Sequence, residues 1–394
     1  MVSRITASIA IAVAFACAFG AARAAPYIPA SGAHVLERLP GGGGQAKRDL
    51  QRLRTALDAN PNNLALAAML AQRHIEQSRR DGDPRYLGYA QAALAPWWSQ
   101  PHPPAQVAVL RATLRQSTHQ FGAALDDLDS VLKQDSNNSQ AWLTRATVQL
   151  VTGDAAGARA SCMRLYSRAP ELVVQACLSS VGSVSGQAQA SYERLLAAYT
   201  ARPGEPPAIR AWVATLLGEM AERLGRREKA QAHFREALAL DPADSYLLAA
   251  YADFLLDAGR PAQVVALLKD KTAADALLLR YALALQAARD PQGRRAIEEL
   301  AARFDAAMRR GDTLHQREQA RYELALRRDP AAAVRLAKLN WAVQKEPADL
   351  RILAQAGAAS GDAEAIGLVR AWLARSRIED ATLASTVARL GKPA

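Results

Sequence analysis

The sequence predicts an all-α protein, an α-solenoid of stacked antiparallel helical hairpins. Apolar residues recur with the period of an amphipathic helix along nearly the whole chain, and no segment alternates polar and apolar residues as a half-buried strand does. The composition, 50% hydrophobic but only 6% aromatic, favours helices built from small and aliphatic side chains. Turn signals also recur about every 34 residues, a spacing typical of paired short helices.

Residues 1–24 have the pattern of a secretory signal peptide. A basic start is followed by an apolar run over residues 5–20 and by Ala22-Arg23-Ala24, which resembles a cleavage signal, so we expect a mature start near Ala25. The apolar run is shorter than the roughly 18 residues of a membrane span and no later run is longer, so no transmembrane helix is predicted. Cys17 leaves lipoprotein anchoring as an alternative, although the usual Leu of a lipobox is missing. We expect a periplasmic or secreted protein.

The positive charge does not indicate nucleic-acid binding. The formal net charge of +11 is spread thinly, and arginines stand beside acids at helical spacing, as in the stretch from Glu222 to Glu228. Nucleic-acid-binding proteins usually concentrate Lys and Arg in one face or run. The charges therefore predict solvated helix faces and no nucleic-acid partner.

The clearest repeat unit runs from Ser139 to Pro170. Two amphipathic stripes are separated by Gly153-Asp154, and Pro170 ends the second stripe. A backward shift of about 34 residues gives a second unit in the same register. The matched positions are Ala112 with Ala146, Ala124 with Ala158, Leu128 with Cys162, and Val131 with Leu165.

A second pair of units has the same spacing. Gly218, Ala230, Phe234, Ala237 and Pro242 mark the first of them, and the pattern recurs from Tyr251 through Gly259 to Leu268. This spacing resembles the tetratricopeptide repeat (TPR), in which small residues let two helices approach closely, a bulky residue fills the gap and Pro ends the second helix. With the signal peptide, the resemblance implies an exported bacterial TPR-containing protein.

Weaker copies flank these units and suggest a domain organisation. Residues 25–48, rich in Pro and Gly, are expected to form a flexible leader. Residues 49–200 form an N-terminal TPR-like array, residues 201–207 a Pro- and Gly-rich hinge, and residues 208–394 a C-terminal array. Ile378 to Leu390 is expected to cap the last hairpin.

The sequence contains no pattern that recommends enzymatic chemistry. No two histidines stand at the i, i+4 spacing of a helical zinc site, and no phosphate-binding glycine loop or nucleophile elbow occurs. We therefore predict a non-enzymatic scaffold with no cofactor and no metal. The alternative is an envelope enzyme on a helical solenoid, such as a peptidoglycan-cleaving lytic transglycosylase, which would need a catalytic Glu in a compact domain. The chain has no Glu-Ser pair of the kind those enzymes carry.

The repeat geometry implies that Cys162 lies in a second helix and Cys177 in the next first helix, as antiparallel neighbours. In an oxidising compartment they could form a disulfide. Such a bridge would be worth about 3 kcal/mol in the chain-entropy model. Two buried thiols are the alternative.

The resemblance also implies a groove built from the inner sides of the first helices. In the second pair of units the groove residues include Trp212, Glu219, Glu222, Tyr246, Asp253 and Asp257. These predict an acidic groove that takes a basic or neutral extended peptide of an envelope protein, with the two aromatics as anchors. The same places in the first pair, which include Thr113 and Thr147, are nearly uncharged. Exposed helix residues without a binding role are the alternative.

Overall fold

A computed structural model of the chain describes residues 45–390, except the side chains of residues 46, 47 and 389. The described residues from Leu50 onward belong to one compact unit. The predicted signal peptide, Cys17 and residues 25–44 of the predicted leader lie outside the described residues. Residues 45–48 belong to helix α1 (Gln45–Ala59), so this end of the expected flexible leader is helical. A side-chain hydrogen bond from Gln45 to Asp49, one turn apart, supports the first turn.

The described residues contain 21 α-helices and no β-strand, which confirms the predicted helical-repeat solenoid. Eighteen of the helices form nine consecutive hairpins. In chain order the hairpins are α2 (Leu64–Asp81) with α3 (Arg85–Ala93), α5 (Ala105–Ser117) with α6 (Phe121–Gln134), α7 (Ser139–Val151) with α8 (Ala155–Met163), α9 (Glu171–Ser183) with α10 (Ala188–Ala201), α11 (Pro207–Arg223) with α12 (Arg227–Leu240), α13 (Ser245–Asp257) with α14 (Pro261–Leu268), α15 (Asp275–Ala287) with α16 (Gly293–Arg309), α17 (Gln316–Tyr322) with α18 (Pro330–Val343), and α19 (Pro347–Ser360) with α20 (Ala363–Ser376). The other helices are α1, the short α4 (Ala95–Trp98) and α21 (Ala384–Leu390), and a π-helical segment, Glu323–Arg327, extends α17.

Each hairpin turn contains one residue in the left-handed backbone conformation. Six of these residues are glycines, which adopt it without steric cost. The nine residues are Gly82, His119, Gly153, Gly186, Gly225, Gly259, Arg289, Arg328 and Gly361. Intervals of 34 residues separate His119 from Gly153 and Gly225 from Gly259, and the other intervals range from 30 to 39. The sequence therefore shows a 34-residue register only in those two pairs of hairpins.

Side-chain caps determine where several helices begin. The Asn63, Asn138 and Asp244 side chains accept hydrogen bonds from backbone N–H groups three residues later, at the starts of α2, α7 and α13. Such caps satisfy donors that have no partner inside the helix. The short polar residues before these apolar stripes thus mark hairpin boundaries.

The α11–α12 hairpin packs as the repeat pattern predicts. Ala230, Phe234 and Ala237 are fully buried in one apolar cluster. A Cβ atom at Gly218 would lie 2.9 Å from the ring of Phe234, a distance that real Cβ contacts do not show. Only glycine therefore fits there without displacing the aromatic ring.

Residues 201–207, the predicted hinge, connect α10 to α11. Ala201 ends α10 and Pro207 begins α11, but one apolar cluster includes residues from both sides, such as Tyr199 and Val213. Arg210 also donates a 3.0 Å hydrogen bond to the Arg202 carbonyl. Residues of the two predicted arrays therefore contribute to one apolar core. A break between helices of this kind also occurs at the other hairpin boundaries.

The predicted capping segment packs against the last hairpin. Leu383 and Leu390 are buried, and Ile378 and Val387 are partly buried, in an apolar cluster with residues of α19 and α20. Only Ala384–Leu390 of this segment is helical, as α21.

Candidate functional site

The residues predicted to line the groove lie on two first helices, α11 and α13. The Tyr246 hydroxyl of α13 donates a 2.6 Å hydrogen bond to Glu219 Oε1 of α11. Asp253 is ion-paired with Arg280 of α15 and Arg321 of α17, at 2.7 and 2.6 Å. These interactions join first helices to one another, so the first helices α11 to α19 share a common side, which we call the inner face.

Arginines on later first helices balance the predicted acidic groove. Besides the pairs of Asp253, Arg351 of α19 is ion-paired with Asp257 through both terminal guanidinium nitrogens. Sequence reasoning placed the carboxylates but missed Arg280, Arg321 and Arg351. A regular repeat register would have identified these arginines as inner-face residues. The register is irregular after α14, however, because the next two intervals between turn residues are 30 and 39 residues.

A second cluster surrounds Arg317, the second residue of α17. Its guanidinium contacts Glu346 at 2.9 Å and Asp349 at 3.4 Å. The fully buried Asp349 also accepts hydrogen bonds from Asn340 Nδ2 and from the backbone N–H of Glu346 at the start of α19. Arg317 thus helps to position α19 against α17.

The carboxyl groups of the inner face differ in protonation. Burial, together with the charges of Asp257 and Asp253, raises the pKa of Glu222 to about 8. Burial alone would raise the pKa of Asp253, but the charges of Arg280 and Arg321 lower it to about 2. At neutral pH, Glu222 is therefore largely protonated beside ionised Asp253. No described residue forms an ion pair with Glu222.

Tyr246 and Glu219 form a second perturbed pair. The negative charge of Glu219 raises the pKa of Tyr246 well above its ordinary value. Burial raises the pKa of Glu219, whereas Arg223 and the Tyr246 hydroxyl act in the opposite direction. Tyr246 is nevertheless 59% exposed, so its ring faces an open part of the inner face.

A cavity of about 590 Å³ lies beside Glu222, Asp257 and Arg351 of the inner face. The C-terminal connection between α20 and α21 forms one of its walls. The lining residues include Glu222, Phe254, Asp257, Arg351, Thr382 and Ser385. The cavity thus presents carboxyl, guanidinium and hydroxyl groups beside an aromatic ring.

The remaining predicted site residues have different surroundings. Trp212 is partly buried and packs against the apolar cluster of α11 and its neighbours, so less of its ring is open than in Tyr246. Cys162 of α8 and Cys177 of α9 are joined by a disulfide, with their Cα atoms 5.6 Å apart.

Two negative findings concern residues 45–390. Within that range, no helix combines the length and the apolar character needed to cross a membrane. In the same part of the chain, no three His, Cys, Asp or Glu side chains are grouped as metal ligands.

Comparisons with known proteins find similarity to solved structures only. No protein-family model matches the chain, and no curated protein matches its sequence. A thermophilic TPR protein from Thermus thermophilus is 24% identical, over 52% of this chain and 98% of its own, with a TM-score of 0.37. A TPR protein from Parabacteroides merdae is 13% identical, over 73% of this chain and 98% of its own, with a TM-score of 0.32. The yeast Tom70 structure is 12% identical, over 88% of this chain and 91% of its own, with a TM-score of 0.32. The chain is a helical-repeat solenoid whose structural neighbours are TPR proteins.

Proposed function

We propose that the chain is a non-enzymatic scaffold of the bacterial cell envelope that binds an extended segment of a partner protein on the inner face. The envelope location rests on the signal-peptide pattern of residues 1–24. The single observation that supports the binding face is Tyr246, a large aromatic residue that is 59% exposed and whose hydroxyl donates a hydrogen bond to the carboxyl group of Glu219. Exposed aromatic residues with polar neighbours are common anchors of protein interfaces.

The groove carboxylates identified in the sequence favour a basic or neutral segment, and the arginines paired with Asp253 and Asp257 favour the neutral end of that range. Asp253 and Asp257 are ion-paired with arginines, whereas Glu219 and Glu222 form no ion pair among the described residues and can meet the partner. Protonated Glu222 can donate a hydrogen bond to a backbone carbonyl of the segment, and Glu219 can accept one. Tyr246 supplies the apolar contact, and Trp212 contributes its exposed edge.

Site-specific cross-linking in cells tests this proposal. A photo-cross-linking amino acid at Tyr246 should capture an envelope protein, whereas the same probe at Tyr166 should not. Tyr166 is a matched control because it is 44% exposed and lies after α8, away from the inner face.

A charge reversal provides the second arm of the experiment. Glu222→Lys should reduce the yield of the Tyr246 cross-link about tenfold, because it places a cation where a basic segment is expected. Glu228→Lys, on the exposed first turn of α12, should leave the yield unchanged. Equal capture from positions 246 and 166, or an equal yield in both Lys variants, would count against the inner face.

A further inference from the structure

The first five hairpin turns all contact much later parts of the chain. Each of these contacts involves the residue in the left-handed conformation or a neighbour of it. Gly82 meets Ala274 and Ser245, His119 meets Gln344, Gly153 meets Trp372 and Lys345, Gly186 meets Arg377, and Gly225 meets Ala381. We call this set of contacts the clasp.

The clasp satisfies carbonyl groups that the helices themselves leave without partners. Carbonyls in the last turn of a helix have no intrahelical donor. In the clasp, the Ser245 hydroxyl donates to the carbonyl of Arg79, at 2.6 Å. The backbone N–H of Lys345 donates a 2.8 Å hydrogen bond to the carbonyl of Val151. The backbone N–H of Ala381 donates a 2.8 Å hydrogen bond to the carbonyl of Arg223. The acceptors lie in the last turns of α2, α7 and α11.

Three of the glycines permit a close approach. A Cβ atom at Gly82 would lie 2.6 Å from Ala274 Cβ, and one at Gly153 would lie 2.6 Å from Trp372 Cη2. At Gly186 the distance to Arg377 Cβ would be 3.1 Å. At Gly259, the next hairpin turn, nothing lies within 4 Å. The close approach is therefore confined to the turns that face later segments.

No single contact of the clasp lies within one apolar cluster of the described residues, although the cluster of residues 172–284 includes both Ala274 and the end of α11 that precedes Gly225. The clusters of the early hairpins contain residues 50–181, and three further clusters cover residues 172–284, 265–326 and 320–390. The two sides of the clasp are thus joined by hydrogen bonds and short contacts, which water can replace. Loss of these contacts breaks no packing inside an apolar cluster, whereas global unfolding would expose all of the clusters.

We infer that the clasp opens reversibly without unfolding the hairpins, and that its opening controls access to the inner face. The second half of this inference rests on the proposed function. The cavity beside Glu222 supports it, because the clasp residue Ala381 and its neighbour Thr382 form one wall of that cavity. In the closed state the chain's own C-terminal segment therefore covers one end of the inner face.

Hydrogen exchange of the full chain tests the opening. The amides of Lys345 and Ala381 should exchange at least about tenfold faster, relative to their intrinsic rates, than amides at the centre of α11, because opening is a local event. Gly153→Ala should accelerate exchange at Lys345 by roughly a further tenfold, because its Cβ collides with Trp372. Gly259→Ala carries the same backbone strain without a collision, so it should leave Lys345 unchanged. Equal protection of Lys345 and α11, or equal effects of both variants, would overturn the inference.

A covalent lock tests the control of access. The ideal Cβ of Gly225 lies 3.6 Å from Ala381 Cβ, within the range for a disulfide. The oxidised Gly225→Cys, Ala381→Cys variant should slow exchange at Lys345, far from the new bond, about tenfold relative to wild type. It should also reduce cross-linking from position 246 by a similar factor. Unchanged exchange in the locked protein overturns the clasp.

The two proposals can fail separately. If wild-type protein gives no cross-link at position 246, the proposed function fails, but the exchange measurements still decide the clasp. If exchange shows opening and the locked variant cross-links as well as wild type, control of access is overturned and the binding face remains.

Discussion

Helices α5–α10 and helices α11–α19 are held together by different kinds of cross-link. In the early region, Arg111 of α5 forms a buried ion pair with Asp127 of α6, and the disulfide joins α8 to α9. These links connect helices that follow one another in the chain. In the later region, Asp253 of α13 reaches Arg321 of α17 and Asp257 reaches α19, so the links skip several helices.

The inner positions of the two regions differ in the same way. Thr113 and Thr147, at groove positions of α5 and α7, donate hydrogen bonds to carbonyls of their own helices. Such side chains need no partner on another helix. The charged side chains of α13 to α19 must find partners across the inner face, because ionised groups that leave water need counter-charges. Local links therefore stabilise single hairpins, and long-range links position the first helices of several hairpins relative to one another.

The largest expected effect comes from breaking the early buried ion pair. Asp127→Ala leaves Arg111, and in part Arg115, without its counter-charge, and should lower the free energy of unfolding by about 3–5 kcal/mol. Urea unfolding followed by circular dichroism measures the loss. Asp129→Ala is the control, because Asp129 pairs with Arg145 near the surface and should cost less than about 1 kcal/mol. Similar losses in both variants would show that the burial of the pair is unimportant.

The second effect concerns the other early link. Replacement of both Cys162 and Cys177 by Ala should lower the free energy of unfolding by about 3 kcal/mol in the chain-entropy model, since the bridge closes a 15-residue loop. Alkylation followed by peptide mass mapping checks the bond itself. Labelling of both cysteines in denatured, unreduced protein would disprove the disulfide.

The smallest effect separates the later region from the early one by its pH dependence. The folded-state pKa of Glu222 is about 8, above its ordinary value, so the folded protein retains a proton that the unfolded chain has lost between about pH 4.5 and pH 8. The free energy of unfolding should therefore fall as pH rises through this window. Glu222→Gln cannot ionise, so its free energy of unfolding should fall by about 2 kcal/mol less than that of wild type over this pH range. This figure allows for the partial exposure of Glu222 to water.

Chemical denaturation at pH 5, 6, 7, 8 and 9 measures the Glu222 effect. Glu228→Gln, on the exposed start of α12, is the matched control and should follow wild type at every pH. If Glu222→Gln also follows wild type throughout, the carboxyl group is not held in its protonated form.

Much of the fold could be predicted because its signals are local. Asn138 and Asp244 mark helix starts by their own hydrogen bonds, and Gly153 and Gly225 mark turns by their own backbone conformation. The hinge at residues 201–207 stays a prediction, because Pro and Gly show where a helix ends but not which residues pack across the gap. The candidate site was predictable only in part: Tyr246 and Asp253 lie in a recognisable register, whereas Arg321 does not.

The sequence by itself determined the all-α solenoid, because helical periodicity, caps and turn residues act over a few neighbouring positions. It also determined the packing of Phe234 against Gly218, since both stand at repeat positions. Only the tertiary structure decided the charge of the inner face and the contacts of the clasp. These depend on small rotations that accumulate from one hairpin to the next, and on turn intervals that vary from 30 to 39 residues. The sum of such rotations decides whether Arg351 reaches Asp257 and whether Ala381 reaches Arg223.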